Sequence, residues 1–582
     1  MKRQLTTLLT VAGLLVFGSA FTATAGDANS SETDFTTVAD FELANHRGGK
    51  WKLSDVPADH LVVITFLGTE CPLAKLYGPR LNQLQTEFGK REVTFVGINS
   101  NTQDSLQEIT HYVTQHQIKY PILKDVGNRL ADKLTAERTP EVIVLDQNRR
   151  VRYQGRIDDQ YLVGLSRDTV RRRDLAIALE ELLAGSEVST PKTKPIGCHI
   201  GRVPESDPIG DITFTKHIAP ILNQHCRECH RSGEVAPFSL TSYEDVLGWE
   251  DTILEVIADN RMPPWFADPK HGSFSNDARL TQQERDLLQT WVDNGMPEGN
   301  AKDLPPAPQY TEGWRIAKPD QVISFDEKPF QVPAEGVVDY KYFTVDPGWK
   351  EDKYVVAMEA RPDNVAVVHH LIAYVIPPGS DGRRGRDRRM LVGYAPGATP
   401  HILDEGTAMK VKAGSKLIFE MHYTPNGTAQ EDHSYIGVKF TDKQNVKRLL
   451  VGGAAVNTEF TIPAYASDHP VTATFDVRKD YYLLEMTPHM HLRGKSFQYE
   501  ATYPNGKKEI LLNVPGYDFN WQLTYKLKEP KLMPRGTVLT CRATFDNSEQ
   551  NPVNPKPNKP VQWGDQSWEE MMIGFFTAVA AD

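Results

Sequence analysis

The sequence predicts a multidomain chain: an α/β block first, a small all-α block next, and two all-β sandwiches at the end. Three observations predict it. Between about residues 34 and 188, apolar runs of strand length (Leu61–Phe66, Val93–Ile98, Glu141–Leu145) alternate with helical stretches (Leu81–Phe88, Asp104–His116, Asp174–Leu183). That alternation belongs to an α/β fold. From about 205 to 300 the strand pattern disappears and the chain reads as helices, among them Leu287–Val292 with Trp291. From about 315 onward, short alternating strands such as Lys416–Tyr423 and Tyr481–Met486 are broken by Pro/Gly turns. This is sandwich material, and its length suits two sandwiches, 315–447 and 448–582. Ser189–Pro195 and the Pro-rich segment 305–308 read as the linkers between blocks.

Ahead of the α/β block the chain starts Met1-Lys2-Arg3, runs apolar from Leu5 to about Phe21, and reaches Ala23-Thr24-Ala25. That is the layout of a secretory signal peptide over residues 1–25, cleaved after Ala25. The run is interrupted by Thr6, Thr7, Thr10, Gly13, Gly18 and Ser19, so it makes a poor membrane anchor. The expected location is periplasmic or secreted in a bacterium, with no membrane span after cleavage. A formal net charge of −11 with no basic stripe argues against nucleic acid as a partner. Five cysteines are too few for a disulfide scaffold in an exported protein, so each needs its own account.

Two of them stand in Cys226-Arg227-Glu228-Cys229-His230. C-x-x-C-H attaches a c-type haem: two thiols add to the vinyl groups and the adjacent histidine ligates the iron. One covalent haem is expected here, in an exported helical block without a preceding strand. Met262, in Arg261-Met262-Pro263-Pro264-Trp265, is the candidate sixth ligand, with Met296 as its competitor. A methionine followed by proline resembles the distal loop of cytochromes c, and the block from His217 to Met296 resembles the small cytochrome domains fused into large bacterial redox proteins.

The third cysteine, Cys71, lies in Phe66-Leu67-Gly68-Thr69-Glu70-Cys71-Pro72, between a strand and a helix. A helix N-terminus stabilises a thiolate. Further on, Arg138-Thr139-Pro140 precedes a strand. Together these resemble the thioredoxin superfamily in its redoxin or peroxiredoxin-like branch, in which that proline is cis. Two departures matter. Ala74 replaces the second cysteine of C-x-x-C, and the peroxiredoxin threonine position holds Gly68, with Thr69 one residue late. Cys198, in Gly197-Cys198-His199, is left as either a resolving partner of Cys71 or a static bridge to it.

The C-terminal half gathers histidines in three tight groups: His369-His370, His422, and His489-Met490-His491. His489 and His491, two apart, share one face of a strand and can chelate one ion. Adjacent His369 and His370 need a strand end or a bulge to do so. Met571, with Met572 as its competitor, adds a thioether, which favours copper over zinc. The set resembles the copper type II, ascorbate-dependent monooxygenases, the peptidylglycine and dopamine hydroxylase family. The resemblance implies two jelly-roll-like sandwiches and two coppers. His369, His370 and His422 would hold the electron-transfer copper; His489, His491 and Met571 would hold the one that binds dioxygen. Thr487, Ile573 and Phe575 stand where the peptide-amidating members carry substrate-binding residues, so a glycine-extended peptide is not the expected substrate. His401, His433 and His469 are isolated and read as surface or structural, and Cys541 as a buried thiol.

What the resemblance implies is hydroxylation of a C–H bond in a small organic substrate with O2. Electrons would come from an external donor, an ascorbate-like reductant or a redox protein, and be relayed through the fused haem. Two other functions stay open: an electron-transfer or sensor protein without monooxygenase turnover, and a thiol-dependent peroxidase or disulfide oxidoreductase acting through Cys71.

Overall fold

The sequence Leu61–Phe66, six apolar or β-branched residues in a row, forms a strand buried on both faces, as the centre of a sheet covered by helices requires. In the computed structural model, which describes residues 36–581 apart from 164, 168, 204–207, 312, 381–387 and 397, this strand is β3 of a seven-stranded sheet. The strands are β1 (Glu42–Asn45), β2 (Lys50–Lys52), β3 (Leu61–Phe66), β4 (Val93–Asn99), β5 (Ile122–Lys124), β6 (Arg138–Thr139, outside this sheet), β7 (Glu141–Leu145) and β8 (Val151–Gly155). Their order is β2-β1-β5-β4-β3-β7-β8. β3, β4 and β5 run parallel, while β7 is antiparallel to β3 and β8. The expected signal peptide, residues 1–25, lies outside the described residues.

Helix α1 (Pro72–Phe88) starts more than two turns ahead of Leu81, where the sequence pattern placed its beginning. Pro79 inside the helix hides the first two turns from a pattern reading, because proline removes a backbone hydrogen bond. The turns hold because Leu73, Ala74, Tyr77, Leu81, Leu84 and Phe88 all pack onto the sheet. Helix α2 (Leu106–Gln115) is entered through a capping box between Ser105 and Glu108.

The segment Ser189–Pro195 is not a free linker. Its backbone is docked along β8: Gln154 N–H donates to the Pro191 carbonyl (2.9 Å) and Thr193 N–H donates back to the Gln154 carbonyl (3.0 Å). The polar Pro/Lys/Thr composition concealed this, since the docking uses main-chain groups and the Thr193 hydroxyl, which accepts from Arg156 N–H at 3.0 Å.

The next block is helical: Ala219–His225, Tyr243–Val246, Glu250–Ala258 and Gln282–Asp293, preceded by a π-helical turn at Phe214–Ile218. Its core gathers Phe214, Ile218, Leu222, Leu288, Trp291 and Met296. One piece of the 205–300 stretch belongs elsewhere. Trp265, Ala267 and Phe274 pack into the core of the last sandwich, and Ser275 N–H donates to the Lys526 carbonyl (2.9 Å).

From residue 315 on, the described residues of the C-terminal half are strands joined by turns, with one short 3-10 helix at Lys443–Asn445. One four-stranded sheet has the order Lys341–Val345, Lys416–Tyr423, Val368–Ile376, Arg389–Tyr394; another has His469–Asp476, Val538–Phe545, Gly494–Thr502, Lys508–Val514. A nine-stranded sheet contributes to both cores. Its first part covers the core around Phe419, Leu371 and Val438, and its second the core around Tyr499, Phe497 and Met572. The two parts are joined where Thr407 and Ala408 pair in parallel with Arg448 and Leu449. Among the described residues no helix is long and apolar enough to cross a membrane.

Candidate functional site

Adjacent histidines on a regular strand point apart. In Val368–Ile376 the register against Lys416–Tyr423 shifts between Val368 and His370, so His369 is the extra residue of a bulge. His370 then pairs directly with His422 across the ladder. The bulge turns the His369 ring to the same side: one nitrogen from each of His369, His370 and His422 lies within 4.8 Å of the others. His369 Nδ1 and His370 Nδ1 are 3.3 Å apart. Two nitrogens held ~2.0 Å from one ion at a tetrahedral angle are separated by about this distance.

Burial, with the neighbouring histidines adding to it, pushes the pKa of His370 and His422 well below the ordinary range, so both rings are neutral with lone pairs available. His422 Nδ1 is buried and finds no hydrogen-bond partner among the described residues. A buried ring nitrogen without a partner, on a histidine that converges with two others, is chemistry that suits a metal ligand, so the donor set fits copper or zinc.

The second pair sits at the end of Tyr481–His489. The His489 and His491 ring centroids are 5.3 Å apart. His489 Nδ1 lies 2.8 Å from Gln522 Oε1 and His491 Nδ1 lies 3.3 Å from the Glu569 carbonyl. Both acceptors require a proton on Nδ1, which leaves each Nε2 lone pair for a ligand. Burial lowers His489 to about 4 and His491 to about 3. Met571 stands two residues before Ile573, the cross-strand partner of His489. It is partly exposed, whereas Met572 is fully buried in the core. That division suits Met571 for a ligand and Met572 for packing.

Sequence reasoning missed what lies between the two sets. The Phe519 ring stacks on His369 (5.5 Å between centroids, 17° between planes) and lies 6.0 Å from His491 and 6.1 Å from His422. Asn520 Oδ1 approaches His369 Nε2 at 3.4 Å, and the Tyr340 ring covers His422 at 4.6 Å. These are loop and strand-edge residues far away in sequence, and no spacing announces them. His401, His433 and His469 stand outside the three-histidine cluster. His401 faces Glu485 at 3.9 Å and His433 Nε2 lies 2.8 Å from the Asp326 carbonyl.

The C-x-x-C-H motif caps the helix Ala219–His225. A tight turn, with Cys229 and His230 N–H groups both on the Cys226 carbonyl (3.2 and 2.9 Å), brings the two thiols and the histidine together. His230 Nδ1 lies 3.1 Å from the Phe238 carbonyl; donating there leaves Nε2 free as a ligand atom. Burial pushes the Cys226 and Cys229 thiols up to about 12 and 11. These groups fit haem attachment. Met262 is partly buried just beyond Glu250–Ala258, while Met296 is 3 % exposed inside the helical core. Glu228 of the motif reaches Arg315 on the first sandwich at 3.4 Å.

Cys71 is the N-cap of α1, with Pro72 at the first helical position. Its Sγ lies 2.8 Å from the Thr139 carbonyl, and the Thr139–Pro140 bond is cis. Burial pushes this thiol up, but hydrogen bonds from Cys198 and from the Thr139 side chain outweigh it and bring the pKa down to about 6. Thr69 is turned away: its hydroxyl donates to Asp104 at 2.7 Å. A Cβ at Gly68 would meet the Asn101 amide at 2.5 Å, so the threonine position of peroxiredoxins is closed here by packing. All five cysteines carry free thiols.

Residues 36–154 match the model of the AhpC/TSA family. Among solved structures, a hypothetical protein of Sinorhizobium meliloti 1021 is 27% identical over 28% of this chain and 92% of its own, with a TM-score of 0.27. An uncharacterized conserved protein of Geobacillus kaustophilus is also 27% identical, over 30% and 93%, with a TM-score of 0.27. Peroxidoxin BcpB of Mycobacterium tuberculosis is 22% identical over 26% and 93%, with a TM-score of 0.20. The search of curated proteins gives no match. On the family match and the α/β sheet that carries Cys71, residues 36–154 are a thioredoxin-like redoxin domain.

Proposed function

We propose that the chain is an exported oxidoreductase whose main chemistry is a copper-dependent monooxygenation, with a c-type haem as electron relay. The observation that carries this reading is the convergence of three neutral imidazoles on one point, one of them with an unpartnered buried nitrogen. His369, His370 and His422 would hold one copper; His489, His491 and Met571 would hold the other. Copper bound there supplies one-electron exchange and the reduction of O2. The protein's part is to keep the rings neutral by burial, to fix their tautomers through Gln522 and the Glu569 carbonyl, and to exclude water with Phe519 and Tyr340. Cys226, Cys229 and His230 would hold the haem, with Met262 as sixth ligand, in a cytochrome c-like block at 205–300. The substrate is a small organic molecule with an oxidisable C–H bond, and the electrons come from an external reductant in the periplasm.

Metal analysis with an optical spectrum of the purified full chain tests this: two coppers and one covalent haem are expected, and zinc in place of copper overturns it. His489→Ala should abolish O2 consumption and leave the haem spectrum unchanged. Metal-loaded wild-type protein that consumes no O2 with any reductant would leave the electron-transfer or sensor role.

A second reading is thiol–disulfide or peroxidase chemistry at Cys71. The family match supports an oxidoreductase of this kind more directly than it supports a copper enzyme, and the lowered Cys71 pKa favours it. The tightly packed Gly68 favours disulfide exchange over peroxide reduction.

A further inference from the structure

A free sheet edge beside a reactive cysteine is a place where an extended peptide can add as one more strand. Here a pairing of that kind is made by the chain itself, on β6, which lies outside the seven-stranded sheet. Cys198–His199 pairs antiparallel with β6, Cys198 opposite Thr139 and His199 opposite Arg138, and Ile200 N–H donates to the Glu137 carbonyl at 2.9 Å. Thr139 is the residue whose carbonyl receives the Cys71 thiol. Both sulfurs therefore converge on one backbone position, and Cys198 hydrogen-bonds to Cys71.

The segment is built to lie this close. Gly197 has φ +155°, and a Cβ there would fall 1.9 Å from the Thr139 carbonyl oxygen. At Gly201 a Cβ would fall 2.1 Å from Gln103 and 2.5 Å from the Gly248 carbonyl. Two glycines thus bracket Cys198 where no side chain has room. Beyond it, the next block begins at once: His199 Nε2 meets Glu255 at 2.7 Å, and Arg138 meets the same carboxylate at 2.5 Å. Arg261, next to Met262, is the third partner of Glu255.

We propose that Cys198 is the in-chain redox partner of Cys71: residues 197–201 pair with the Arg138–Thr139 backbone beside Cys71, and a reversible Cys71–Cys198 disulfide fastens the redoxin domain to the helical block. The proposal rests on the thiol reading of Cys71. The oxidant is a low-molecular-weight disulfide, RSSR. It reaches Cys198, which is partly exposed while Cys71 is buried. As the Cys198 sulfur attacks, its proton passes to the Cys71 thiolate and one RS⁻ leaves. Cys71 then gives that proton to RS⁻ and attacks the Cys198 sulfur, expelling the second RS⁻. Two cysteine sulfurs are oxidised by two electrons and RSSR is reduced to RSH and RS⁻.

The test equilibrates the full chain in glutathione buffers from fully reduced to fully oxidised, traps free thiols with iodoacetamide and maps the peptides. The expected result is joint loss of the Cys71 and Cys198 labels in one transition, with a linked peptide that disappears on return to reduced buffer and Cys541 unlinked throughout. In Cys198→Ser no linked peptide forms, and in Cys71→Ser Cys198 accumulates a glutathione adduct. Independent labelling of the two cysteines at every ratio overturns the proposal, as does a linked peptide that reduced glutathione never opens. Turnover of hydrogen peroxide or of a protein disulfide is assayed separately. Its absence with a cycling pair sinks the thiol-enzyme reading and leaves the latch standing.

Discussion

Replacing Gly197 by alanine is the sharpest perturbation the structure offers. The new Cβ would stand 1.9 Å from the Thr139 carbonyl oxygen, 2.7 Å from its carbon and 3.1 Å from Pro140 N. A carbon–oxygen contact needs ~3.3 Å, so the segment must retreat by about 1.4 Å. Hydrogen bonds stretched that far are lost. The antiparallel pairing of Cys198–His199 with Arg138–Thr139 and the Ile200–Glu137 bond go with it, at ~1 kcal/mol each. The strained φ adds ~1 kcal/mol or more for a residue with a side chain. A local cost of ~3–4 kcal/mol raises the open population by roughly 100- to 1000-fold, since ~1.4 kcal/mol is tenfold. The assay is the iodoacetamide labelling rate of Cys71 in the reduced full chain, followed by peptide mapping. A rise of ~100-fold is expected. A rate within threefold of wild type would refute the idea that this glycine permits the docking.

Two further expectations concern protons and ligands. The folded-state pKa of Cys71 is lowered from 9.0 to about 6, so the thiolate's contribution to stability is complete above 9 and is lost as pH falls through 6; the pH profile of Cys71 alkylation should show a midpoint near 6, and one above 8 would contradict the site as described. Gln522→Leu removes the acceptor of His489 Nδ1 and should weaken copper at one of two sites by ~10–100-fold, read by chelator competition; unchanged affinity at both sites would remove Gln522 from the ligand's support.

The legible parts of this chain are those written in local spacing. Leu61–Phe66 and Glu141–Leu145 are apolar runs of strand length and become strands over those same residues. His369-His370 needed a strand end or a bulge, and the register shift beside it supplies the bulge. Local spacing fails where main-chain groups or distant loops decide. Pro79 masked the first half of α1 because its penalty is local while the packing that overrides it is tertiary. Ser189–Pro195 reads as a linker because its docking on β8 uses peptide groups that every sequence possesses and one threonine hydroxyl that no spacing marks. Phe519 and Gln522 carry no motif; only the fold brings them to histidines many residues away.

The parallel pairing of Thr407 and Ala408 with Arg448 and Leu449 has a mechanical consequence. It welds one sheet of each sandwich into a continuous beam; His489 ends a strand of one half, and the four-stranded sheet that carries His369, His370 and His422 shares a core with the other half. A hinge opening between the halves would tear that weld. The spacing of the two sets is therefore a fixed gauge, and what can yield to admit a guest molecule is the Phe519 ring wedged between them.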